Sequence, residues 1–388
     1  MLTGGACALC AARILPTDLQ PLVGSDYEPI DADERGMWQS IERIEETIGI
    51  SPQLLAAPQL QAYTRVVTER LVGRPVPELR IYLMRDASFN AAMFPSGMMI
   101  VHTGLLARVR DEAQFAAVLG HEAGHYFRKH SIESYRSLRR KAAATAIIGV
   151  AAGAAGSWGW IQAASGINAA LVLSVFQFSR AFEAEADAYG IGLMARAGYA
   201  TGAAAQMWKQ LIDERRASAA QRNKRYRDRS SSAFSTHPPS EERMTDLAQT
   251  AEHLSSRAAP GSDGRASWNE VIAPHRATLL AEQVKLNDPG ASLYLVSNLA
   301  QEGWTGLLRY SEGEIYRLRA QPGDDARAGE AYAAATALPD APAEAWRAHG
   351  YALIKSGKGA AGRDALTRYL AQKPDANDAA MVRFTLTQ

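Results

Sequence analysis

His121-Glu122-Ala123-Gly124-His125 constrains this chain more than any other stretch. Two histidines four positions apart share a face only where the backbone is helical, and there they stand one turn above the other. From such a face both imidazoles reach a single Zn²⁺, and the glutamate between them can take a proton from water. The flanking residues predict that helix. Asp111 reads as its N-cap with Gln114 as the capping-box partner. Ala113, Phe115, Ala116, Val118 and Leu119 supply packing, and Arg128, Lys129 and His130 suit the negative end of the helix dipole. Were the histidines merely core residues, Glu122 would be a buried charge with no partner, which is costly.

A catalytic zinc takes a third protein ligand and keeps one position open. His130 is a poor candidate: it lies one residue short of the pattern H-E-x-x-H-x-x-G-x-x-H, and Arg128 replaces the glycine of that pattern. Ser179 to Asp187 is better, a helix-prone segment rich in alanine and acid. Glu183 and Asp187 are one helical turn apart, so both can face the histidine helix. Glu183 is then the third ligand. Asp187 accepts the far ring N–H of a ligand histidine and fixes its tautomer.

H-E-x-G-H followed downstream by S-R-x-x-E-x-E-A-D-x-x-G, ending at Gly190, resembles the HtpX and CAAX-prenyl-protease family of gluzincin metallopeptidases. Asn90 to Gly97, Met98 to Val101 and Thr103-Gly104-Leu105-Leu106 are similar to the strand pair that precedes the family's zinc helix. His237-Pro238 with Arg243 looks like its later H-P-x-x-x-x-R motif. The matches run from about residue 80 to 245. The resemblance implies one Zn²⁺ per chain held by His121, His125 and Glu183, with Glu122 as general base. It implies that His237 lies near the metal, where it either stabilises an oxyanion or fills the open position and keeps the enzyme latent. Arg243 reads as an ion-pairing anchor. Pro95 and Gly97 punctuate a hairpin, and its strand Asn90, Ala91, Ala92, Met93 is a candidate edge for binding an extended substrate backbone.

Forty-two Lys and Arg against 41 Asp and Glu leave a net charge of +1, so nothing global draws this chain to nucleic acid. Arg215 to Arg229 is locally basic and runs into Ser230-Ser231-Ser232; it reads as a solvated loop leading to His237. Cys7 and Cys10 form a lone C-x-x-C, with no second pair for a zinc ribbon and no βαβ pattern around it. Residues 1–35 read as a signal-like, irregular segment, with lipid attachment at either cysteine left open. No charge occurs between Lys141 and Arg180, yet glycines and Gln162 break the apolar runs. Residues 142–178 therefore predict a helical hairpin that packs over the active site or rests peripherally on a membrane surface, Trp158 and Trp160 at its tip, with a membrane-inserted peptidase as the alternative.

After the Ser/Ala/Pro/Gly stretch near Ser255 to Gly264 the pattern changes. Trp346, Gly350 and Pro374 fall where a tetratricopeptide repeat puts its tryptophan, glycine and terminal proline, and Ala328, Tyr332 and Ala335 fit its second helix. The reading is a mainly α protein: a zincin-type catalytic domain with a small β-sheet at 36–254, and an α-helical, tetratricopeptide-like repeat domain at 268–388. A catalytic domain of this kind followed by such repeats is similar to periplasmic quality-control peptidases of outer-membrane proteins. It implies an endopeptidase acting on unfolded or misassembled envelope proteins, in the periplasm or at the outer membrane of a bacterium, with the repeats holding clients or protein partners. The alternative is a chaperone or scaffold whose zinc site is latent.

Overall fold

The computed structural model describes residues 28–145, 178–226, 237, 240–256 and 260–388. Cys7, Cys10, the greater part of the uncharged stretch with Trp158 and Trp160, and Ser230-Ser231-Ser232 lie outside them. The described residues are mainly helical, with one small sheet. By contacts it divides into two units, one running to Ile212 with Arg227–Pro274, the other comprising Asp213–Tyr226 with His275–Gln388.

In the first unit, α1 (Ala32–Gly49) is capped by Asp31, whose side chain accepts the Glu34 N–H. Met37, Ile41, Ile44 and Ile48 recur at helical spacing and bury one stripe of α1. That stripe meets Met84, Ala92, Met98 and Ile100, alternate residues of a three-stranded sheet. Its strands are β1 (Arg80–Met84), β2 (Ala91–Met93) and β3 (Met98–His102), in the order β1-β3-β2. β1 runs parallel to β3, with Arg80 opposite Met98; β2 runs antiparallel to it, with Ala92 opposite Ile100. Gly97 closes the β2–β3 turn at φ +86°, and a Cβ there would stand 2.4 Å from the Glu78 carbonyl oxygen, so only glycine fits. β2 is thus an edge strand.

α2 (Pro58–Val72) packs on β1. Thr103-Gly104-Leu105-Leu106, expected as part of the strand pair, instead opens a short helix, α3 (Thr103–Arg108). The strand ends at His102 because the Gly104 N–H and the Thr103 hydroxyl both turn back to the Asp86 carbonyl. α4 (Glu112–Phe127) lies against β2 and is buried along its whole length. Lys129 then adopts the left-handed conformation at φ +57° and turns the chain into α5 (His130–Thr145). α6 (Arg180–Arg196), α7 (Gly202–Gln221) and α8 (Glu241–Ser255) follow. α7 corrects the expectation of a loop from Arg215: Ala217, Ala219 and Ala220 carry the helix to Gln221, and Arg215 is buried.

The unit boundaries fall inside α7 and inside α9 (Arg265–Lys285), close to its internal Pro274. Trp268, placed by the sequence at the start of the repeats, is fully buried in the first unit. Its indole donates to the Val109 carbonyl at 3.0 Å and its ring lies 5.0 Å from that of Phe115. In the second unit, α10 (Pro289–Leu299) precedes the helix pairs α11 (Gly306–Arg319) with α12 (Asp324–Thr336) and α13 (Ala343–Lys355) with α14 (Gly359–Gln372). α15 (Ala379–Leu386) follows. Gly313 makes room for the Tyr332 ring as Gly350 does for Leu366, and buried Ala328 and Tyr332 recur one pair later as Ala365 and Tyr369. Among the described residues no helix is long and apolar enough to cross a membrane.

Candidate metal centre

α4 begins as its sequence predicts, with one difference. Asp111 accepts the Gln114 N–H at 2.8 Å, but the Gln114 side chain reaches back to the N–H of Arg110 rather than to that of Asp111. α6 is capped by Ser179, which accepts the Phe182 N–H. The two helices touch backbone to backbone. A Cβ on Gly124 would stand 3.0 Å from the Ala186 Cα, and one on Gly190 would stand 2.8 Å from the His121 nitrogen. That approach brings the short arm of Glu183 level with both histidines.

His121, His125, Glu183 and His237 each offer one ligand atom, and the four atoms lie within 4.8 Å of one another. His121 Nε2 is 3.1 Å from His125 Nε2 and 3.2 Å from His237 Nδ1. Glu183 Oε1 is 2.9 Å from His237 Nδ1 and 3.5 Å from His125 Nε2. All four residues are buried. Ring nitrogens at such distances with their lone pairs converging repel unless a proton or cation lies between them. Three imidazoles and one carboxylate are the donor set that Zn²⁺ favours. The residues fit the metal.

Asp187 stands behind His121, its Oδ1 2.9 Å from Nδ1. Arg243, from α8, grips Asp187 with Nε and a terminal nitrogen at 2.7 and 2.8 Å, and reaches Glu183 at 2.7 Å. It therefore ties α8 to α6, and its guanidinium lies 4.4 Å over the Trp208 ring. Burial opposes the charge on Glu183, but His237 and Arg243 outweigh it and hold the carboxyl well below the usual range. Burial keeps His125 well below the ordinary imidazole value. Glu122 goes the other way: burial raises it, against the pull of His237, of His121 and of the Met93 N–H, which bonds its carboxylate. His237 Nε2 is 3.5 Å from Glu122 Oε1.

Asn90, Ala91, Ala92 and Met93 are all buried, Ala92 against the α1 stripe on the far face of the strand. Asn90 and Ala91 line a small cavity with His121, Glu122, Trp208 and His237, and Met93 lines another with His125. Sequence reasoning missed Trp208 and Phe178, whose ring stacks on His125 at 3.9 Å. No spacing rule connects either aromatic to the histidine helix. His130, rejected as a ligand, nevertheless contacts His125 from behind.

A helix bearing H-E-x-x-H, completed by a glutamate from a second helix, defines a metallopeptidase of the gluzincin class. Residues 55–251 match the profile of peptidase family M48, and the chain belongs to that family. It is similar to the beta-barrel assembly-enhancing protease of Escherichia coli K12, 25% identical over 210 residues that cover 53% of this chain and 41% of that protein. Mitochondrial metalloendopeptidase OMA1 of Schizosaccharomyces pombe is 32% identical over 152 residues, 38% of this chain and 43% of its own. Metalloprotease YcaL of E. coli K12 is 28% identical over 209 residues, 52% of this chain and 70% of its own. The chain spans about half the length of the beta-barrel assembly-enhancing proteases it matches.

Proposed function

We propose that this chain is a zinc endopeptidase of unfolded or misassembled envelope proteins, with a peptidase domain at 36–254 and client-holding repeats at 268–388. The observation that carries the reading is the convergence of His121, His125 and Glu183 beside a buried Glu122. These three residues hold one Zn²⁺ per chain. Bound there, the metal supplies Lewis acidity, which acidifies water and polarises a carbonyl. Glu122 takes a proton from the attacking water and passes it to the leaving amine. Asp187 keeps the His121 lone pair aimed inward, and Arg243 keeps Asp187 charged and in place. An extended substrate segment adds to the edge of β2 at Asn90–Met93, where the Met93 N–H already bonds the carboxylate of the general base.

The names of the relatives support the client class: the E. coli protein named above is a beta-barrel assembly-enhancing protease. That likeness argues for a bacterial periplasm or outer-membrane surface. In the repeats, a cavity of about 610 Å³ lined by Tyr332, Tyr351, Arg347 and Lys355 is large enough to hold a peptide segment.

A second reading rests on His237. Its Nδ1 sits among the other three donors, so as a fourth ligand it takes the position that water needs, leaving a resting enzyme whose repeats act as a chaperone or scaffold. One experiment separates the two. Degradation of a permanently unfolded protein is followed with wild type, Glu122→Gln and His237→Ala, with bound zinc measured in each. Cleavage by wild type, reduced by at least ~10²-fold in Glu122→Gln with zinc retained, supports the peptidase. Cleavage by His237→Ala alone supports the latent form, and zinc in none of the three overturns the proposal.

A further inference from the structure

His125 has two faces. Its Nε2 looks into the donor set, while its Nδ1 lies 2.9 Å from Nδ1 of His130. His130 is 1% exposed, and its own Nε2 is 3.2 Å from Glu185 Oε2. The other oxygen of Glu185 accepts from Arg128 Nε. Both rings are clamped: Phe178 stacks on His125 at 3.9 Å and 18°, and Phe182 on His130 at 4.3 Å and 10°. The two imidazoles stand at 76° to each other. The left-handed turn at Lys129 separates Arg128 from His130 and lets both neighbours face Glu185.

Hydrogen-bond valence gives this row one direction. A neutral imidazole has one N–H and one lone pair. If His125 spends its Nε2 lone pair on the metal, its proton is on Nδ1 and can only be donated to a lone pair on His130 Nδ1. The single proton of His130 is then on Nε2, aimed at Glu185. Each ring carries one proton, each contact has one donor, and the row ends on a carboxylate held by an arginine. His121 receives the same service directly from Asp187, so the two ligand histidines are backed by separate carboxylates.

We propose that His130 and Glu185 are positioning residues that fix the tautomer and ring angle of His125, through which they set the affinity and geometry of the metal centre. This rests on the zinc site proposed above. Chelator competition on the full chain gives the Zn²⁺ affinity of wild type, His130→Ala, His130→Asn and Glu185→Ala. The visible spectrum of each Co²⁺-loaded protein reports ligand geometry, and the melting temperature of each zinc-free protein reports packing. We expect His130→Ala to bind Zn²⁺ about 10- to 100-fold more weakly with an altered Co²⁺ spectrum. His130→Asn, whose carbonyl can still accept from His125, recovers much of that loss, and Glu185→Ala shows a smaller one. Equal affinity and an unchanged spectrum in His130→Ala and Glu185→Ala would overturn the relay while leaving the zinc site standing. Should His130→Ala fail to fold, His130→Asn and Glu185→Ala decide: wild-type affinity and spectrum in both overturn the relay. A wild type that binds no zinc defeats the site reading and the relay with it.

Discussion

At Lys129 the backbone is left-handed at φ +57°, a conformation that places Cβ too close to the following carbonyl of an L-residue. The turn is retained because the Lys129 N–H bonds the Tyr126 carbonyl and its own carbonyl accepts from Glu133, so the end of α4 and the start of α5 both depend on it. Glycine adopts this φ without penalty. Lys129→Gly should therefore raise stability by roughly 0.5–1 kcal/mol, read as a higher urea midpoint with an unchanged m-value. A lower midpoint would show that the lysine side chain contributes more than its backbone costs. Asp324 shows how a single carboxylate organises a turn. It is 1% exposed, accepts from Arg319 at 2.6 and 2.8 Å and from the Gln321 N–H, and also meets Arg327. The Arg319 bonds hold its pKa far below the ordinary carboxylate value against the effect of burial. A depressed folded-state pKa contributes stability above the unfolded value near 3.9 and loses it as pH falls toward the folded one. Asp324→Asn should lower stability at pH 7 and flatten the acid side of the stability profile below about pH 4, measured by urea unfolding across pH.

Among the elements, the α4–α6 pair carries the most consequence for the site. Gly120, Gly124 and Gly190 let the two helices meet at backbone distance, and the opposing atoms are main chain that cannot swing aside. Gly190→Ala should force the helices apart at a cost of about 1–3 kcal/mol, with zinc affinity falling alongside stability. A variant of full stability and full zinc affinity would mean that the crossing has slack. Much of this pair was legible in the chain, because caps, helical spacing and the two acidic residues one turn apart are local signals. The hairpin was legible from Pro95 and Gly97 in the same way. What stayed hidden was non-local. Thr103-Gly104-Leu105-Leu106 reads as strand until the Asp86 carbonyl claims the Gly104 N–H and the Thr103 hydroxyl. His130 looked like a failed ligand because its role lies in a contact with the back of another ring. Arg215 reads as loop because charge density argues for solvent, whereas packing buries it in a helix.

For the whole molecule, the spare geometry of β2 sets how a client is chosen under the proposed function. Its three residues Ala91, Ala92 and Met93 turn buried side chains inward, and it pairs with β3 alone among the described strands. What such an edge offers a guest is the peptide groups left beside the Met93 N–H, which Glu122 already holds, and any residue of a client can pair with such groups. Selection then depends on how long a stretch of client stays extended and unpaired, and hardly on which residues it contains. The edge would act as a clock: a client that closes its own strands promptly escapes, and one that stalls is cut.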